Sequence, residues 1–201
     1  MSQSIFLGID PGTGRTGWGV IKKDFSDGKV LTEYVAHGCI VTEQSNTMPE
    51  RLLVLSQSLS KIIRDFNPEC LIVEQIFFGR NVSTAISVGQ ARGVIILSAA
   101  QNKIPVFEYT SISVKHGLSG NGRLEKKDIQ QIVRKLLSKD KRKLSFNTKD
   151  KGFDDSADAL AIAIHHARKL HGVFEPKPKI EKKKKVVKKK GRVVKKNKAK
   201  K

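Results

Sequence analysis

The alternation of apolar and polar positions divides the chain near residue 42. "SIFLGID" (4–10) is a short apolar run, the pattern of a buried strand. After a glycine-rich loop comes "TGWGVIKKD", a second strand-like run, and then "KVLTEYVAHGCIVT" (29–42), which reads as one or two more. The turn residues "SDG" (26–28) point to a hairpin, so the chain is expected to open with about three antiparallel strands. The period then changes. In "TMPERLLVLSQSLSKIIRDFNP" the apolar residues fall at 52, 55, 59, 62, 63 and 66, which is helical spacing. Thr47 and Glu50 are placed for a capping box, and Pro68 stands just past the end.

"ECLIVEQI" (69–76) predicts a buried strand and "IPVFEYT" (104–110) another. Between them "NVSTAISVGQARGVIILSAAQN" (81–102) is apolar nearly all round, which predicts a largely buried helix. "EKKDIQQIVRKLL" (125–137) is an amphipathic helix, and "FDDSADALAIAIHHARKL" (153–170) a last one. The predicted order is βββαβαβαα. Antiparallel strands first, then strands alternating with helices, give an α/β fold: a mixed sheet with helices on its faces.

Charge changes the picture at the C-terminal end. Of the formal +20 carried by 201 residues, +14 lies in 177–201, where 15 Lys and Arg face one acid, Glu181. The remainder carries +6. A block such as "EKKKKVVKKKGRVVKKNKAKK" repels itself and has too little apolar surface to fold. The expected organisation is one domain over 1–172 and a disordered lysine-rich arm over 173–201. Such an arm suits a polyanion, DNA or RNA, although a merely solvated tail has the same composition. Cys39 and Cys70 have no pairing motif and are read as reduced thiols. Neither a signal segment nor an apolar run of membrane-spanning length occurs, so a soluble, cytoplasmic protein with no membrane partner is expected.

Chemistry enters with "GIDPGTGRTG" (8–17), in which Gly12, Gly14 and Gly17 spell G-x-G-x-x-G. A dinucleotide fingerprint needs a helix after the loop, because the helix N-terminus binds the pyrophosphate. Here a strand-like run follows, so that reading fails. Asp10 remains, at the end of an apolar strand. There an acid caps the Asp-Pro-Gly turn or is compensated by a partner or a metal. Glu74 repeats the pattern in "LIVEQ", with a plain surface strand end as its alternative. Asp155 and Asp158 are three apart at a helix start and share a face, and Asp154 is four before Asp158. Helix capping accounts for Asp154 or Asp155. It accounts less well for Asp158, which the apolar "ALAIAI" follows at once. Four such carboxylates can hold a pair of hard divalent cations, the arrangement used in phosphoryl displacement. None of the five histidines has zinc-site spacing with the cysteines.

Over roughly residues 4 to 170, "GIDPGTGRTGWGVI", "IVEQIFFGRNVSTAISVGQARGV", "PVFEYTSISVKHGLSGNGRLEKKDIQQIVRKLL" and "DDSADALAIAI" closely resemble the bacterial RuvC family of Holliday-junction resolvases. The lysine-rich arm lies outside the resemblance. It implies an RNase H-like fold with a five-stranded mixed sheet. It also implies a homodimer that nicks a four-way DNA junction symmetrically in two strands of like polarity, in recombination and repair. Mg²⁺, two per active site, is the implied cofactor, with Mn²⁺ substituting, and the RuvA and RuvB branch-migration complex the implied partner. The family's catalytic, metal-binding carboxylates carry over onto Asp10, Glu74, Asp155 and Asp158, while Asp154 has no clear counterpart. The junction-contacting aromatic falls on Phe77 rather than Phe78, with Arg80 in the same loop, and Lys115 and Lys126 match lysines along the DNA path.

Three rivals are weighed against this. Actin-like ATPases and sugar kinases share the core fold and a "DPGTG" loop, but need a second lobe that about 170 residues hardly provide. A non-catalytic architectural protein would leave four DNA-repelling acids unexplained. A nuclease of the same fold acting on an RNA–DNA hybrid is the nearest alternative.

Overall fold

In the computed structural model, residues 4–26, 29–75, 82–137 and 153–170 are described. Five strands, β1 (Ser4–Asp10), β2 (Arg15–Ser26), β3 (Lys29–Val41), β4 (Cys70–Glu74) and β5 (Val106–Tyr109), form one sheet in the order β3-β2-β1-β4-β5. The β1–β2 and β2–β3 pairs are antiparallel, and β1–β4 and β4–β5 are parallel. This is the expected mixed sheet, and "KVLTEYVAHGCIVT" is one long strand within it, kinked by a register shift opposite Val20 and Ile21.

Five helices cover the sheet: α1 (Met48–Phe66), α2 (Val82–Gln101), α3 (Ser111–Ser119), α4 (Lys126–Leu137) and α5 (Phe153–Lys169). Helix α1 begins as its capping residues predict. The Thr47 backbone N–H donates to the Glu50 carboxylate at 2.7 Å, and the helix ends at Asn67, which is left-handed at φ 44°.

Strand alternation splits the core into two layers. Leu7, Ile9, Val20, Leu71 and Val73 face α1 and α2. Phe6, Ile21, Cys70 and Ile72 face α3, α4 and α5. Asp10 and Glu74 follow the second set in phase, so both carboxylates point to the α5 side of the sheet.

Two differences from the sequence reading stand out. Helix α3 was not expected. Its segment "SISVKHGLS" is rich in Ser and β-branched residues, poor helix formers. Its caps decide instead: the Thr110 hydroxyl accepts from the Ser113 N–H at 3.1 Å, and Gly120 closes the helix at φ 71°. Helix α2 is not largely buried. Ala91, Ile95 and Ala99 pack inward, while Ile86 and Leu97 are exposed at 58% and 56%. An all-round apolar helix need not be covered on every side within one subunit.

The close seating of α5 depends on glycine. A Cβ on Gly8 would stand 2.0 Å from the Ala159 carbonyl oxygen, and one on Gly17 2.1 Å from that of Asp155. Gly8 pairs with Gly19, and Gly17 with Asp10, so a glycine track on β1 and β2 lets the helix backbone lie directly on the sheet.

Candidate active site

Asp10 ends β1, the central strand, and Glu74 ends β4 beside it. The parallel register pairs Gly8 with Ile72 and Ile9 with Val73, and its continuation sets Glu74 next to Asp10. The glycine track delivers the first turns of α5 to the same end of the sheet, bringing Asp155 and Asp158. All four sequence-predicted acids thus converge, from three elements and 149 residues of chain.

Their mutual repulsion is visible in protonation. Burial, then the charges of Glu74, Asp158 and Asp155, push the Asp10 carboxyl up to about 8, and it is hydrogen-bonded to Glu74. Asp158 is raised to about 6, by burial first and by Glu74 and Asp155, against the opposing pull of Lys126 and Lys115. Those two lysines, on α4 and α3, line a cleft of ≈ 120 Å³ together with Glu74, Asp158 and Ser111. Asp155 is held differently: the Arg15 Nε donates to its Oδ2 at 3.1 Å.

The glycine-rich loop is not a phosphate cradle. It leads into β2, as the sequence predicts, and it is strapped down. The Thr16 hydroxyl donates to the Gly12 carbonyl at 2.6 Å, and the Thr42 hydroxyl to that of Thr13 at 2.5 Å. The Arg51 Nε in turn donates to the Thr42 hydroxyl at 3.0 Å. This fixes the loop that follows Asp10.

An oxygen-only donor set of carboxylates suits a hard divalent cation. Among the described residues, no three acid, histidine or cysteine side chains already stand as a ligand cage. Burial first, and then mutual repulsion, raise Asp10 and Asp158, and a divalent cation would offset both. The residues fit such an ion in kind and number. The histidines at the far end of α5 do not compete for this role. Burial holds His165 and His166 down near 4, and His166 Nδ1 lies 2.9 Å from the Tyr109 hydroxyl.

Phe77, Phe78 and Arg80 lie outside the described residues, as does the lysine-rich arm. Asp154 falls in the first turn of α5, its side chain likewise undescribed. Sequence reasoning missed Arg15 as a site residue. The signal available was its position two residues before Gly17, on the same face of β2.

The family profile described as crossover junction endodeoxyribonuclease RuvC matches residues 6–166. The chain belongs to the RuvC family. A RuvC crossover junction endodeoxyribonuclease of Desulfitobacterium hafniense is 47% identical over 167 residues, which is 83% of this chain and 94% of that relative. Among solved structures, Thermus thermophilus RuvC in complex with Holliday junction substrate superposes with a TM-score of 0.72 at 28% identity, covering 84% of this chain and 96% of that one. The yeast mitochondrial Holliday junction resolvase shares the fold, with a TM-score of 0.60 at 19% identity over 82% of this chain and 78% of its own. RuvC membership makes the chain a nuclease-family enzyme, and the RNase H-like five-stranded sheet is the one expected from sequence.

Among the described residues, no helix is long and apolar enough to cross a membrane.

Proposed function

We propose that this RuvC-family enzyme resolves four-way DNA junctions by paired, symmetric nicks in two strands of like polarity. The observation that carries the reading is the convergence of Asp10, Glu74, Asp155 and Asp158 beside a cleft lined by Lys115 and Lys126. Asp10, Glu74, Asp155 and Asp158 would hold two Mg²⁺ ions, with Mn²⁺ able to substitute. When bound, the cation pair acidifies the attacking water and offsets charge on the phosphate. Water attack on phosphorus expels the 3′ oxygen, leaving 5′-phosphate and 3′-hydroxyl ends. The Lys126 ammonium, which already acts on Asp158, would neutralise charge that develops on the phosphoryl oxygens. Asp154, in the first turn of α5, is left outside the metal site, where an acid suits the helix dipole.

A junction is two-fold symmetric, so a homodimer carries two sites in matching register. The exposed face of α2 supports this surface. Ile86 and Leu97 flank Gly89 and Gly93, and among the described residues nothing lies within 4 Å of a Cβ placed on either glycine. Exposed glycines in a helix cost about 1 kcal/mol each relative to alanine, and the fold of one subunit does not require them. A second copy of α2 packed closely against them would.

The 1–172 domain would hold the junction through phosphate contacts, with Phe77 and Arg80 at the branch and the lysine-rich arm of 173–201 adding affinity for every DNA form. The RuvA and RuvB branch-migration complex is the proposed assembly partner, and the cytoplasm the proposed setting.

The test is cleavage of a synthetic four-way junction beside linear duplex and RNA–DNA hybrid of the same sequence, with Mg²⁺ or with chelator. Paired nicks confined to the junction, lost with chelator and in Asp10→Asn, are expected. Preferential cutting of the hybrid, or full cleavage by Asp10→Asn, overturns the reading.

A further inference from the structure

The four carboxylates of the site are accommodated without metal in three different ways. Asp10 shares a hydrogen bond with Glu74. Asp158 is opposed by Lys126 and Lys115. Asp155 is paired to Arg15 at 3.1 Å. The last arrangement differs from the others in kind, because a guanidinium is always charged and matches a carboxylate geometrically.

Arg15 is also well positioned to persist in that pairing. It leaves the end of the loop held by Thr16, Thr42 and Arg51, and its backbone pairs with Val41 on β3. Its guanidinium reaches the Cys39 thiol as well. Asp155 has its own backbone packed against Gly17, on a helix whose apolar face is buried in the core, so moving the helix to release the pair would break core contacts. Exchange must therefore occur by side-chain rotation. Both side chains are partly exposed, at 36% for Arg15 and 24% for Asp155, which leaves room for it.

We propose that Arg15 is a built-in cation that occupies Asp155 in the absence of metal, and so sets the metal concentration at which the site fills. The proposal rests on Asp155 being a metal ligand, as read above. A divalent ion that takes Asp155 must compete with the guanidinium for the carboxylate, or share the carboxylate with a like charge close by. Both effects weaken metal binding. Arg15 is thus a positioning residue that acts through Asp155, not a group that touches the phosphate.

The experiment is Mn²⁺ binding to the full chain without DNA, by calorimetry and by electron paramagnetic resonance of free Mn²⁺. Arg15→Gln should tighten binding about 3- to 10-fold, the scale of removing one unit charge a few ångströms from a partly exposed site. Arg15→Lys keeps the charge and should stay within about twofold of wild type. If Arg15→Gln does not fold, judged by circular dichroism, Arg15→Met serves with the same expectation. Unchanged or weaker binding in the uncharged variant overturns the proposal. Asp155→Asn separates the two levels. If it weakens Mn²⁺ binding about tenfold while Arg15→Gln fails to tighten it, only the role of Arg15 falls. If Asp155→Asn leaves Mn²⁺ binding unchanged, the assignment of Asp155 as a ligand falls, and Arg15 with it.

Discussion

Gly17 of β2 lies directly under Asp155 of α5, so close that a Cβ on the glycine would stand 2.1 Å from the Asp155 carbonyl oxygen. A residue in a loop motif thereby fixes the height of an acid 138 positions later. The contact is to helix backbone, which cannot rotate away as a flexible side chain can. Gly17→Ala should cost about 1–3 kcal/mol of stability, as overpacking does, and reduce junction cleavage at least tenfold by lifting Asp155. Gly14→Ala is the matched control. Its nearest neighbour is the end of the Arg51 side chain at 3.4 Å, so stability and cleavage should change little. Urea denaturation and single-turnover cleavage of the two variants check this, and equal damage from both would contradict it.

Asp10 makes the metal-free protein less stable as pH rises. Its carboxyl ionises near 3.8 when unfolded but at about 8 when folded, so the folded state holds the proton longer. Stability contributed by the protonated form is therefore lost progressively between about pH 4 and 8, and Asp158, raised to about 6, adds to the loss. His165 and His166 act oppositely. Their folded values near 4 lie below the ordinary 6.5, so they cost stability as pH falls through that window. Comparison with Asp10→Asn cancels the histidines. In chelator, Asp10→Asn should melt at a higher temperature than wild type, by a margin that grows from pH 4 to pH 8. Adding Mg²⁺ should stabilise wild type most at the alkaline end. A margin independent of pH would contradict the burial and repulsion assigned to Asp10.

Lys126 opposes the rise in the Asp158 value more than Lys115 does, and both line the cleft. Lys126→Gln should slow cleavage of bound junction about 10- to 100-fold, while junction affinity falls only modestly. The salt dependence of binding should lose about one phosphate contact. Single-turnover rates at saturating enzyme, beside a salt titration of binding, separate the two effects. A large loss of affinity with an unchanged rate would make Lys126 a docking residue only.

Leu97 on the open face of α2 tests the dimer. Leu97→Glu places a charge where a second copy would pack, without touching the inward residues Ala91, Ile95 and Ala99. Sedimentation should show monomers at concentrations where wild type is dimeric, and paired nicking should give way to single nicks or none. A dimer that survives Leu97→Glu and Ile86→Glu together would move the interface elsewhere.

Much of this protein could be read from its sequence because the signals are local. Apolar runs ending in Asp10 and Glu74 predict two strands whose acids sit at the same kind of terminus, and Thr47 with Glu50 predicts where α1 starts. The rejection of a dinucleotide loop needed only the strand-like run that becomes β2. Other features resisted. Helix α3 is held by its caps against weak propensity, and residue counts underweight caps. Composition made α2 look buried, yet exposure depends on how many neighbours arrive, and Ile86 and Leu97 on one of its faces stay exposed.

The sequence by itself determined the strand order, every helix but α3, the candidate acids and the basic arm, because these follow from period, composition and short motifs, with the family resemblance choosing Asp155 over Asp154. Only the tertiary structure decided how those acids meet and what holds them without metal. Asp10 and Glu74 share a side through parallel register, Asp155 and Asp158 arrive through glycine contacts, and Arg15 finds Asp155 across 140 residues. These are distances between segments remote in the chain, set by how closely a helix backbone can approach a sheet, and no local pattern encodes them.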